Sequence, residues 1–256
     1  MSEPDLAPRL YAQLPLSHWR ERVEPALALG WGVEIQLDDS ALFMESPADV
    51  EALAAALGTG RPRLAHLPNY GIQLGCRDGT IGSLSLAIAS RAVARAALLG
   101  CRQAVYHTYL LPTLPAFKLP GWLPTFMGRF ASLVDQAAQH GVRLLVENVW
   151  ERDGTLFDAI FAAFGDRVGM CLDLGHLHCF SRRDFAWWWG RYRERIEHVH
   201  LSDNAGDEDS HLPPGRGTVP YPDIWPVLAA DPRLGFTLEL PLADCPAAAA
   251  YLTGLA

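Results

Sequence analysis

Short apolar runs and longer stretches of helical period alternate along the whole chain. The runs predict strands at Arg9–Leu14, Val33–Leu37, Arg63–Leu67, Gln103–His107, Arg143–Asn148, Val168–Leu172, Ile196–Leu201 and Gly235–Leu240. Between them, helices are predicted from Ser17 to near Gly30 and over Pro47–Leu57, Ser83–Leu99, Thr125–His140, Leu156–Phe164, Arg183–Arg195 and Tyr221–Leu228. A last helix at Cys245–Tyr251 closes the chain. Ser83–Leu99 is the strongest of these, with apolar residues recurring at three and four and Gly100 as its stop. Eight strand–helix units without a break in composition predict an α/β protein, a single (β/α)8 TIM barrel over residues 1–256. Two long loops, Leu110–Pro124 with four prolines and Ser202–Pro222, are expected at the catalytic face.

The last six predicted strands end in residues of one chemical kind: His66, His107, Glu147, Asp173, His200 and Glu239. Side chains so distant in sequence meet only if their strands lie side by side with the same ends together. A parallel barrel does this at its C-terminal face. Asp, Glu and His are ligands for hard to borderline divalent metals. Glu147, Asp173, His200 and Glu239 follow apolar flanks, which place them at the mouth of a dry barrel. An unpaired carboxylate there is costly, and a cation removes the cost. His176 in DLGH and the Asp209-x-His211 pair add further ligand types. The nine groups together could hold up to three ions.

Composition narrows the partners. Of 256 residues half are hydrophobic, the net charge is −8, and the only lysine is Lys118. No basic stripe exists to bind a polynucleotide, so a small-molecule substrate is expected, with no nucleic acid and no membrane. The state of assembly, monomer or homo-oligomer, is not legible in the chain. The five cysteines form no CxxC pair, so no disulfide framework is expected and a cytoplasmic location fits. The start MSEPDLAPRL carries no signal-peptide pattern, and no run has the length of a membrane span.

Other residues carry two readings. Glu34 either touches the site or is a buried strand carboxylate in a hydrogen-bond network. Phe117 and Trp122 either wall the substrate or form a surface for a second copy. Trp187, Trp188 and Trp189 point in three directions from one helix. Arg216 in PPGRG either binds a substrate phosphate or carboxylate or is a surface arginine. PPGRG is no P-loop, and no dinucleotide-binding glycine pattern follows the first strand.

The segments VEN, DLGH, HLSDN, DSHLPPGRG and the late LEL resemble the xylose isomerase-like TIM barrel superfamily over essentially the whole chain. That superfamily includes isomerases and epimerases of sugars and sugar phosphates, and zinc-dependent apurinic endonucleases. Resemblance to the epimerases implies one ion on Glu147, Asp173, His200 and Glu239, with the two glutamates as acid and base and His176 on a substrate oxygen. Resemblance to the endonucleases implies three zinc ions: His66, His107 and Glu147; then Asp173, His200 and Glu239; then His176, Asp209 and His211. The chain departs from both patterns. Gly206 stands where free-ketose epimerases carry a substrate-binding arginine, and the basic DNA-inserting loops of the endonucleases have no counterpart.

The expectation is therefore a divalent-metal isomerase or epimerase of a small sugar or sugar phosphate, working by proton transfer through an enediolate. Hydrolysis of a small phosphoester by a multinuclear zinc cluster is the alternative, and a metal- or sugar-binding barrel without turnover is the bland one. Histidine-rich sites suit zinc, and acidic sites with one histidine suit manganese or cobalt. His107, His176, Arg216 and Trp122 are the expected substrate contacts.

Overall fold

The computed structural model describes residues 7–38, 46–69, 71–114 and 118–255. Eight parallel strands close into a barrel in chain order. They are β1 Leu10–Pro15, β2 Gly32–Gln36, β3 Arg63–His66, β4 Gln103–His107, β5 Arg143–Glu147, β6 Val168–Asp173, β7 Ile196–Leu201 and β8 Gly235–Leu238. The helices are α1 Trp19–Ala28, α2 Pro47–Leu57, α3 Gly79–Leu98, α4 Leu119–Gln139, α5 Thr155–Phe164, α6 Leu174–Phe180, α7 Phe185–Tyr192, α8 Tyr221–Ala229 and α9 Cys245–Thr253. The predicted barrel is thus the observed fold.

Both faces of most strands are covered, which is why they read as largely apolar runs, while β1 alternates buried and half-buried positions. Leu64, Val105, Leu145 and Cys171 form a small cluster of their own, with Tyr11 packed against it. The much larger apolar core includes the aromatic stack Trp122–Phe126–Phe130 of α4. Of the three consecutive tryptophans, Trp188 is fully buried, edge-on to Phe157 and donating to Ser181. Trp189 stacks on Phe185, and Trp187 lies under Arg183 and Arg191. Trp188→Ala is expected to destabilise the fold by about 3–5 kcal/mol, read as a lowered denaturant midpoint at unchanged slope.

The differences from the predicted elements have local causes. Helix α3 starts at Gly79, earlier than Ser83, because the Asp78 side chain accepts from Thr80 N (2.8 Å) and Ile81 N (3.1 Å). The predicted loop Leu110–Pro124 is cut short by α4, which begins at Leu119. Pro120 lies in that helix's first turn, where backbone N–H groups have no intrahelical acceptor to lose. Phe117 lies outside the described residues. Helix α6, absent from the prediction, follows β6 directly, capped by Asp173 accepting from His176 N at 2.5 Å. Helix α7 is shorter than Arg183–Arg195 and is capped by Asp184. All five cysteines are free. Helix α3 is long and apolar enough, by length and composition alone, to cross a membrane; here it connects β3 to β4 beside α4.

Candidate metal centre

Strand register brings the ligand side chains to one level. His107 pairs with Glu147 across β4 and β5, and Asp173 with His200 across β6 and β7. A register shift between Met170 and Cys171 sets the second pairing. His66 ends β3, and Glu239 follows β8, its N–H donating to Leu201 O at 3.2 Å. All six are buried.

The centre of the group is His200 Nδ1. It lies 3.3 Å from Glu147 Oε1, 3.4 Å from Glu239 Oε1 and 3.7 Å from Asp173 Oδ2. His200 Nε2 lies 3.1 Å from Glu34 Oε2, an arrangement that fits a proton on Nε2 and a lone pair on Nδ1 facing a cation. His200 Nδ1, Glu147 Oε1 and Asp173 Oδ2 are buried, and none has a hydrogen-bond partner. Buried polar atoms left unpaired are expensive, and here a nitrogen lone pair and two carboxylate oxygens share one space. The donor set and its missing partners fit a divalent cation.

Burial, reinforced by Glu239 and Glu147 and opposed chiefly by His176, pushes the Asp173 carboxyl up to about 7. In the metal-free protein this carboxyl is protonated below that pH, and a cation must expel the proton. Metal affinity is expected to fall by about tenfold per pH unit as pH drops below 7, read by titration with a metal-sensitive dye.

Glu34 meets both readings: it bonds within the network, and it also stands beside His66, His200 and Glu239, a group able to hold a cation. It is fully buried on β2, and Thr237 Oγ1 also donates to its Oε2. Burial alone would raise this carboxyl, but His200 with His66 and His198 holds it down at about 2. Glu34→Gln keeps an acceptor for His200 and loses the charge. It is expected to weaken metal binding by about 10–100-fold, measured as a dissociation constant.

Two further groups adjoin the centre. Glu147 Oε2 faces the other way, 2.8 Å from His107 Nε2 and 3.3 Å from His66 Nε2. His66 Nδ1 donates to Leu67 O at 2.8 Å, which leaves its Nε2 as the free lone pair. Above them, Asp209 Oδ2 lies 3.1 Å from His176 Nε2 and 3.0 Å from His211 Nε2. Those two rings are tied through Nδ1 to the main-chain oxygens of Asn148 and Glu239, each at 3.0 Å. Asp209 Oδ1 is buried without a partner. His211 adopts φ 47°, a strained value for a residue with a side chain, held by the surrounding loop.

That loop hangs from Asp203. Its carboxylate accepts from the N–H groups of Asn204, Gly215, Gly217 and Val219, each at 2.9 Å. A side chain on Gly217 would collide with Asn204 O and the Asp203 carboxylate, which accounts for that glycine of PPGRG. Asn148 clamps Asp173 twice, donating to its carbonyl at 2.9 Å and accepting from its N–H at 2.8 Å. Asp203 and Asn148 lie inside HLSDN and VEN, so those motifs carry the scaffold as well as the ligands.

Seven of the nine ligand-type residues line a cavity of about 520 Å³ at the C-terminal strand ends, and the other two, Asp173 and His200, are buried next to Glu147. Two expected substrate contacts are not brought there. Trp122 stacks on Phe126 at 4.8 Å and faces a separate cleft beside Gly75 and Lys118. Arg216 is exposed and does not line the cavity. The cavity's other wall is Gln13, Gln36, Asp38 and Asn69, from the ends of β1 to β3. The signal for them was the same strand-end rule, applied to β1 and β2, where the side chains are amides and not metal ligands. Gln13 Nε2 donates to Glu239 Oε1 at 2.6 Å.

A family model described as xylose isomerase-like TIM barrel matches residues 25–256. No curated protein matches in sequence. Among solved structures, the TTHB071 protein from Thermus thermophilus, soaked with ZnCl2, is 29% identical. That match covers 97% of this chain and 98% of the other, with a TM-score of 0.85. A D-tagatose 3-epimerase-like protein is 16% identical over 95% of this chain and 96% of its own, with a TM-score of 0.78. The 3-keto-D-glucoside 4-epimerase YcjR from E. coli is 21% identical over 96% and 99%, with a TM-score of 0.73. The last two likenesses establish the shared fold.

Proposed function

The chain belongs to the xylose isomerase-like TIM barrel family, and from that premise we propose a divalent-metal isomerase or epimerase acting on a small sugar or sugar phosphate. The observation that carries this reading is the convergence of Glu147 Oε1 and Glu239 Oε1 on His200 Nδ1, at 3.3 and 3.4 Å. Glu147, Asp173, His200 and Glu239 would hold the ion. When bound, it would chelate adjacent carbonyl and hydroxyl oxygens and acidify the carbon-bound proton. One glutamate takes that proton at a carboxylate oxygen and the other returns one. Gln13 orients Glu239 through Oε1, and His107 orients Glu147 through Oε2. The similar epimerases named above add support at the level of fold.

The test is solvent deuterium. In D2O, a turned-over sugar is expected to gain deuterium at the reacting carbon. Turnover of a sugar without incorporation overturns the reading.

A second reading, phosphoester hydrolysis at a multinuclear zinc site, is favoured by one specific observation. His66 and His107 meet at Glu147 Oε2, and His176 and His211 meet at Asp209 Oδ2, in addition to the central group. Elemental analysis of protein purified without chelator separates the two readings: one ion per chain supports proton transfer, and two or three zinc ions support hydrolysis.

A further inference from the structure

We propose that Thr237 and His198 are positioning residues for the metal centre. With Glu34 they form a buried hydrogen-bond relay that sets the ring of His200, and through it the affinity for the ion and the shape of its coordination. The relay rests on His200 being a ligand, which both readings above share.

Six residues stand two positions before the six ligand-type strand ends, and so share their side of the strands one layer deeper. Four of them, Leu64, Val105, Leu145 and Cys171, form an apolar cluster on β3 to β6. The other two, His198 on β7 and Thr237 on β8, are polar and buried. Branched apolar side chains ordinarily fill such a layer, and buried polar groups cost free energy unless they are bonded. These two are bonded, and their chain of contacts leads to the centre.

Thr237 Oγ1 donates to Glu34 Oε2 and lies 2.7 Å from His198 Nε2. A hydroxyl has one proton to give. With that proton on the carboxylate, an Oγ1 lone pair faces His198 and fits an N–H there. Glu34 Oε2 in turn lies 3.1 Å from His200 Nε2. The order is therefore His198, Thr237, Glu34, His200, ending at the ring whose Nδ1 faces Glu147 and Glu239. Glu34 Oε1 is buried without a partner, so the contacts at Oε2 fix how the carboxylate is turned. Strand register sets His200 beside Thr237 and His198 beside Gly235. A side chain on Gly235 would come within 2.7 Å of His198 Nδ1, so that glycine makes room for the ring. Tyr11 packs edge-on against His198 at 5.0 Å.

The experiment is titration of the chelator-stripped full chain with cobalt(II), followed by its visible absorption. Chelator competition gives the dissociation constant, and metal content is measured on the same samples. Thr237→Val removes the hydroxyl and nearly keeps the shape. It is expected to weaken binding at the His200 site by about tenfold and to shift the cobalt bands, which report coordination geometry. Thr237→Ser keeps both hydrogen bonds and is expected to stay within about threefold of the parent chain, with unchanged bands. His198→Phe keeps a ring beside Tyr11 and cuts the far end of the relay, for an expected loss of about three- to tenfold. In the double variant the two losses are expected not to add, because both act through Glu34. Should Thr237→Val fail to fold, His198→Phe read against Thr237→Ser carries the same test. Parent affinity and parent bands in Thr237→Val overturn the relay and leave the metal centre standing. Equal losses in Thr237→Ser and Thr237→Val, or fully additive losses in the double variant, also overturn it. A parent chain that takes up no cobalt overturns the metal centre itself, and the relay with it.

Discussion

Replacing Glu147 by glutamine is expected to abolish stable metal binding and to lower turnover by at least about 10²–10⁴-fold, the range associated with losing a general acid–base group. The two carboxylate oxygens of Glu147 serve two groups of ligand-type side chains at once. Its Oε1 faces His200 and its Oε2 faces His107 and His66. The carboxamide keeps the shape but loses the charge that a cation requires, and it turns an N–H donor toward one of the two groups. Folding is expected to survive, because His107, His66 and His200 can remain neutral, with His66 and His200 each tied by the other ring nitrogen. Elemental analysis and a deuterium-exchange assay on the same preparation check this. A Glu147→Gln protein that retains both its ion and its exchange activity would remove Glu147 from the mechanism and from the centre. The variant also reports on stoichiometry. Loss of one ion per chain fits a mononuclear site, whereas loss of two from one substitution fits a carboxylate bridging two ions.

Stripping the metal with a chelator is expected to lower the melting temperature by about 5–15 °C. A ligand present at about 100 to 1,000 times its dissociation constant stabilises by about 2.7–4.1 kcal/mol. For a chain of this size each kcal/mol corresponds to about 2–4 °C. The source of the effect is the set of unpaired buried atoms, His200 Nδ1, Glu147 Oε1 and Asp173 Oδ2, whose desolvation the metal-free fold leaves uncompensated. The gap should widen with pH. Asp173 titrates at about 7 in the metal-free fold, above the ordinary carboxylate range. A raised carboxyl favours the fold below its unfolded pKa and loses that contribution as pH rises through its folded value. The metal-free protein therefore weakens toward neutrality, while the loaded one has already given up the proton. Thermal scans at pH 5.5 and 8 with and without chelator measure this. Equal melting temperatures in all four conditions would show that the site takes no stabilising ion.

The chain's hydrophobic pattern by itself determined the barrel. Most strands are buried on both faces and read as largely apolar runs, and glycines at positive φ such as Gly58, Gly100 and Gly141 follow helix ends where the pattern stops. The ligand types were legible for the same reason. Strand ends at the catalytic face are where a dry core meets the cavity, and His66, His107, Glu147, Asp173, His200 and Glu239 stand there in sequence as clearly as in space.

Tertiary structure decided what spacing could not encode. Which oxygen of Glu147 faces which histidine depends on the register of β4 to β7 and on the shift at Met170 and Cys171. The role of Glu34 on β2 depends on a hydrogen bond to His200 on β7, a strand reached across the barrel closure and not a neighbour of β2. The tautomers of His66, His176, His200 and His211 follow from main-chain and carboxylate partners, most of them far away in sequence. Trp122 left the substrate wall because α4 began early enough to stack it on Phe126. The amide wall of Gln13, Gln36 and Asn69 formed because barrel closure sets β1 beside β8, bringing Gln13 to Glu239. Sequence names the chemical groups, and closure of the ring fixes which of their atoms meet.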